Sequence, residues 1–150
     1  IIFFICSILF ESIKQSLVII TMIPISFIGL FLIFYIFNYN FNQGGYASFV
    51  LLCGISVNSA LYIINEYNNI RRRKINIGDV EAYLKAFQNK IIPVIITIIT
   101  TILGLIPFVW SGSNQETFWF SFAIGSIGGL IFSLVGVLCF LPLFTLWNKK

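Results

Sequence analysis

Apolar residues run almost unbroken through this chain, and short polar interruptions divide it into elements. Residues 1–10 are apolar but too short to cross a bilayer, which takes about 20 residues at 1.5 Å each, so they read as the last turns of a helix. A polar turn, Glu11-Ser12-Ile13-Lys14-Gln15, precedes a first complete span over 16–37. Pro24 and Gly29 lie inside that span, and a modest kink is expected near Pro24. A polar loop over 38–45 leads to a second span, 46–66, and a hydrophilic segment, 68–89, to a third, 91–110. After a brief loop, the last apolar run, 117–147, is longer than one crossing and must tilt or continue past the membrane.

The polar residues inside the spans fall on faces. In the second, Gly54, Asn58, Leu61 or Tyr62, and Asn65 share one side of a helix, while Leu51, Ile55 and Ile63 make the opposite side hydrocarbon. An amide left unpaired in hydrocarbon costs about 1–3 kcal/mol, so Asn58 is expected to face protein or trapped water. The third span carries Pro93, Thr97, Thr100, Thr101 and Gly104 on one face, with Lys90 at its mouth. Such threonines often bond back to their own helix. Taken together, Asn58 and Ser59 on one helix and Thr97 and Thr101 on the next would complete a polar core between them. The last span places Ser121, Gly125, Gly129 and Ser133 four residues apart, with Gly128 and Gly136 beside them. Small residues in a row let helix backbones approach in lipid, so Gly125, Gly128, Gly129 and Ser133 are expected to form a packing seam.

The hydrophilic segment opens with Arg71-Arg72-Arg73-Lys74. Val80, Tyr83, Leu84 and Phe87 then recur at helical spacing behind Asp79, a suitable cap, which predicts a short amphipathic helix along the membrane surface.

Composition fixes the class. Hydrophobic residues make up 59% and charged residues 9%, against roughly a quarter charged in soluble domains. The expected fold is an all-α membrane protein with four complete transmembrane helices, the end of a fifth, and the amphipathic cytoplasmic helix. Placing successive loops on alternate sides puts all nine Lys and Arg on one side. By the positive-inside rule that side, with the C-terminus, is cytoplasmic, and the loops around Asn40 and Ser113 face outward. The net charge of +4 is thereby explained by topology, and no nucleic-acid partner is expected. Ile1 follows neither a Met nor a basic flank, so the chain reads as a piece of something longer.

Candidate chemistry is sparse. Cys6, Cys53 and Cys139 sit in apolar runs without metal-ligand spacing and read as small buried hydrophobes. With no histidine and no Gly-rich phosphate loop, neither an enzyme nor a cofactor or metal site is expected. Glu11, Glu66, Asp79, Glu81 and Glu116 all fall at loops or span ends. These residues give the chain no mid-membrane acid with which to run proton coupling by itself.

Several motifs, in order, resemble the last helices of resistance-nodulation-division (RND) efflux permeases. They are Phe10-Glu11-Ser12, then Met22-Ile23-Pro24-Ile25-Ser26 with Gly29, and Gly54-Ile55-Ser56-Val57-Asn58-Ser59-Ala60-Leu61-Tyr62-Ile63-Ile64. After the basic linker come Lys90-Ile91-Ile92-Pro93-Val94-Ile95-Ile96-Thr97, Gly104-Leu105-Ile106-Pro107 and the Gly-rich final helix. The resemblance implies the C-terminal membrane portion, from the end of the eighth helix through the twelfth, of a trimeric, proton-driven exporter of the bacterial inner membrane. It further implies a porter domain and paired aspartates elsewhere in the transporter, with a periplasmic adaptor and outer-membrane channel as possible partners. Asn58 stands where drug-efflux members place a lysine that pairs with those aspartates; Lys90 matches a basic position and Thr97 a relay threonine.

An amide can hydrogen-bond a carboxylate in either protonation state but supplies no compensating charge. A variant proton relay is therefore expected, in which Asn58 and Thr97, with Ser59, Thr101 and Lys90 nearby, orient the aspartates or their water. The exported substrate would be a small amphiphilic or toxic compound. Two alternatives stay open: a relative that exports protein or lipid, and a membrane fragment that transports nothing.

Overall fold

A computed structural model describes residues 1–73, 78–111 and 118–143, and every regular element among them is a helix. In order these are α1 (Ile2–Phe10), α2 (Ile13–Phe37), α3 (Gln43–Arg73), α4 (Asp79–Ser111) and α5 (Phe118–Val135), the last followed by a π-helical turn, Gly136–Phe140. Four stretches are long and apolar enough to cross a membrane: Ile13–Phe37, Gln43–Arg73, Asp79–Trp110 and Phe118–Leu143. This is the expected all-α membrane fold. Helices suit it because each satisfies its own backbone N–H and C=O groups where no water can. Buried hydroxyls follow the same economy: Ser26 donates to the Ile23 carbonyl at 2.7 Å, Ser48 to Gly45 at 2.6 Å and Ser59 to Ile55 at 3.0 Å.

The helices end on local chemistry. Asn38 adopts a left-handed conformation (φ 51°) after α2, and the Tyr39 and Asn38 N–H groups bond back to the Phe34 and Tyr35 carbonyls at 3.1 and 3.4 Å. That is the Schellman closure, which a short amide side chain tolerates well. Asn42 caps the start of α3 through its side-chain oxygen, 2.9 Å from the Gly44 nitrogen. Glu11, between α1 and α2, is also left-handed (φ 48°).

One boundary differs from expectation. The amphipathic segment is not a separate surface helix: from Asp79 its turns continue through Asn89 and Lys90 into the following span as one helix, α4. Nothing between Phe87 and Ile92 breaks a helix, and Pro93, the first residue lacking an N–H, lies well inside it. Residues 112–117, which hold most of the brief loop expected after the third span, Lys74, and the end of the chain with Trp147, Lys149 and Lys150 lie outside the described residues.

Helix α5 is the hub, packed against α2 and α3 and flanked by α4. Two apolar clusters fill the bundle. One, at the basic end, gathers Ile19, Met22, Ile63, Ile64, Ala82 and Tyr83; the other joins Leu30, Leu52, Ile98, Ala123 and Leu130. Aromatic contacts crowd the opposite end, where Phe41 meets Phe34 and Tyr46 with ring centroids 5.0 and 4.8 Å apart and Tyr39 meets Phe120 at 5.2 Å. Asymmetry of this kind, cations at one end and aromatic rings at the other, suits a bundle held across a bilayer.

Candidate functional site

The small residues of α5 meet α2 and α3 at backbone distance. A Cβ added to Gly128 would lie 2.8 Å from the Gly29 carbonyl oxygen and from Ile33, and one added to Gly125 would lie 2.8 Å from Ser48 Oγ. Gly129 is closed off by the Leu52 side chain. Ser133 is buried on the same helix, its hydroxyl unpartnered among the described residues. Gly125, Gly128 and Gly129 thus leave no room for a side chain. The π-helical turn that follows keeps both Gly136 and Val137 buried, with the Leu141 N–H closing onto the Gly136 carbonyl.

The polar stripes lie elsewhere. Asn58 is exposed on α3, with no hydrogen bond among the described residues. Gly54, one turn away, has open space where a side chain would be. On α4, Thr97 and Thr100 are exposed, Thr101 is half-buried, and Gly104 again has nothing around it. All three hydroxyls bond back: Thr97 to the Pro93 carbonyl at 2.9 Å, Thr100 to Ile96 at 2.9 Å, and Thr101 to Thr97 at 2.8 Å. Ser59 is buried and spends its proton on Ile55. No hydrogen bond joins Asn58 or Ser59 to Thr97 or Thr101 among the described residues, so these helices close no polar core between themselves. The polar face looks outward instead, and of the residues expected on the hydrocarbon side Ile63 is fully buried while Leu51 and Ile55 are half-buried. Among the described residues the Asn58 amide faces no side chain of this bundle that could pair with it.

Lys90 sits at the basic end, 3.7 Å from Glu66 Oε2, while the Asn89 amide donates to Glu66 Oε1 at 3.3 Å. One carboxylate thus ties the early turns of α4 to the later turns of α3. Asp79 does the same a few turns on, paired with Arg71 at 3.1 Å and accepting from the Tyr67 hydroxyl at 3.3 Å. Gln15 on α2 reaches Asn68 on α3, which puts Lys14 at this end too. Sequence periodicity places Glu66 and Asn89 only at span ends; their pairing depends on how α3 and α4 pack. Of the cysteines, Cys6 is buried and Cys53 half-buried, but Cys139 is exposed, against expectation, because it falls on the outer side of the π-helical turn.

A family model described as the AcrB/AcrD/AcrF family matches residues 1–147. The chain is 26% identical over 132 residues to multidrug resistance protein MdtC of Escherichia coli O9:H4 (strain HS), covering 88% of this chain and 13% of that protein. MdtC of Shigella sonnei (strain Ss046) gives the same figures. Multidrug export protein AcrF of Escherichia coli (strain K12) is 25% identical over 136 residues, 91% of this chain and 13% of AcrF. The chain therefore spans about an eighth of the length of these relatives.

Proposed function

Because the chain belongs to the AcrB/AcrD/AcrF family, we propose that it forms the C-terminal membrane portion of a proton-driven RND exporter of small amphiphilic or toxic compounds. In this reading the basic end and the C-terminus are cytoplasmic, the membrane is the bacterial inner membrane, and the complete transporter is a trimer. A periplasmic adaptor and an outer-membrane channel extend its path.

The observation that supports the reading is the uncovered polar face of α3 and α4. A bare amide and two side-chain-free positions, Gly54 and Gly104, are poor choices for contact with lipid tails. They suit close approach by a further helix. If that helix carries ionisable carboxylates, Asn58 can donate to a carboxylate or accept from a carboxylic acid, following the proton without changing its own charge. Thr97 and Thr101 offer hydroxyls one turn apart that can leave their own carbonyls for such a partner. Ser59, buried behind them, and Lys90, at the basic mouth, hold the edges of this face.

The test is transport driven by an imposed pH gradient in vesicles, using the native polypeptide that carries this sequence. A hydrogen bond to a charged group is worth about 1.5–3 kcal/mol, so Asn58→Ala and Thr97→Val should each lower the initial rate by about tenfold or more. Wild-type rates in both variants, at wild-type abundance, would overturn the relay.

A further inference from the structure

At the basic end, α3 and α4 enclose an open cleft of about 430 Å³ lined by Glu66, Ile70 and Arg73 from α3 and by Lys85 and Asn89 from α4. The α3 residues are four and three apart and the α4 residues four apart, so each set occupies one helix face. Charges around the cleft do not cancel. Glu66 is paired with Lys90, Asp79 with Arg71 and Glu81 with Lys85. Arg72 and Arg73 are left exposed, with no ion pair or hydrogen bond among the described residues. Of these two, only Arg73 lines the cleft.

Depth in the membrane narrows the choice of occupant. The buried core-facing part of α3 ends at Tyr67, and Arg73 lies about 9 Å further along the helix axis at 1.5 Å per residue. A headgroup layer is about 5–8 Å thick, so the cleft from Glu66 to Arg73 brackets the phosphate level. From Asn89 the same side of α4 continues as Ile92, Ile96, Ile99 and Leu103, all exposed and spaced by three and four residues. A cationic, amide-bearing pocket at phosphate depth, opening onto an apolar track, has the two-part chemistry of a phospholipid.

We propose that this cleft is a binding site for one anionic phospholipid. Arg73 holds its phosphate, joined by Lys85 as it leaves its exposed pair with Glu81. The second N–H of the Asn89 amide, the first being spent on Glu66, donates to a headgroup oxygen, Ile70 covers the glycerol region, and an acyl chain lies along Ile92, Ile96 and Leu103. The proposal rests on the cleft alone and does not depend on the relay face.

The experiment is native mass spectrometry of the purified full chain in detergent, titrated with phosphatidylglycerol or phosphatidylcholine. One phosphatidylglycerol adduct per chain should persist at activation energies that strip phosphatidylcholine. Its abundance should fall about tenfold in Arg73→Gln/Lys85→Gln, survive in Arg73→Lys, and change little in Arg72→Gln, which removes the same charge beside the cleft. A circular-dichroism spectrum unchanged from wild type shows that each variant is folded. Equal retention of the two lipids, or an equal loss in Arg72→Gln, would overturn the site in favour of diffuse surface charge. Displacement of the lipid by millimolar inorganic phosphate would overturn the lipid assignment in favour of a free-anion site.

Discussion

Gln15 and Asn68 exchange two side-chain hydrogen bonds, Gln15 Nε2 to Asn68 Oδ1 at 2.9 Å and Asn68 Nδ2 to Gln15 Oε1 at 2.7 Å, closing α2 onto α3 at the basic end. Each amide satisfies the other where both are partly out of solvent. Replacing one leaves its partner with an unmet donor and acceptor, at about 1–3 kcal/mol; replacing both with apolar side chains removes the need as well as the bond. Gln15→Leu and Asn68→Leu should therefore each lower the thermal midpoint, and the double variant should recover much of the loss. Additive losses in a double-mutant cycle followed by circular dichroism would show that the pair is uncoupled.

The glycines of α5 should differ in tolerance because of what faces them. Opposite Gly128 is the Gly29 carbonyl oxygen, which can yield only if α2 itself moves, whereas Gly129 faces the branched end of Leu52. Gly128→Ala is expected to cost about 1–3 kcal/mol as an overpacked contact. Gly129→Ala in a Leu52→Ala background should be no less stable than Leu52→Ala alone. No truncation at Ile33 should rescue Gly128→Ala. Rescue there would mean that the side chain, not the α2 backbone, is the obstacle.

The Arg71–Asp79 pair looks like a clamp between the end of α3 and the start of α4, but its side chains are 44% and 39% exposed. Exposed ion pairs contribute about 0–1 kcal/mol and are screened by salt. Asp79→Asn should accordingly shift unfolding by less than about 1 kcal/mol, and raising sodium chloride should leave the wild-type midpoint almost unchanged. A large drop in Asp79→Asn without salt sensitivity would assign Asp79 a structural role through the Tyr67 hydrogen bond, and a large drop with salt would mean that the ion pair itself is strong.

The spans were legible because a bilayer demands long apolar runs, and the row of small residues on α5 includes Gly125, Gly128 and Gly129, where its neighbours leave no room for a side chain. The join between the amphipathic segment and the third span was not. Polarity changes at Asn89-Lys90, but helical periodicity does not, and hydropathy marks the first while the backbone follows the second. The polar stripes show a further limit. Periodicity shows that Gly54 and Asn58 share a face; it does not show what stands opposite. Among the described residues that face is uncovered, so the expected core between Asn58 and Thr97 is not closed by these two helices. Glu66 was visible only as an acid at a span end, since its link to Asn89 and Lys90 is made by packing.

Gly54 and Gly104 distinguish a lipid-facing surface from a docking face. Both have open space where a side chain would stand, and a helix interior favours larger residues over glycine by up to about 1 kcal/mol. Gly54→Leu and Gly104→Leu should leave this bundle as stable as wild type or slightly more so, as read by thermal unfolding of the chain. If a further helix packs there, the same side chains would hold it away from Asn58 and Thr97, and transport by the native polypeptide should fall steeply while abundance stays normal. Stable bundles with undiminished transport would mean that the face meets lipid, and the role proposed for Asn58 would go with it. Unstable bundles would instead place these glycines against a neighbour within the chain, contrary to the geometry found at both positions.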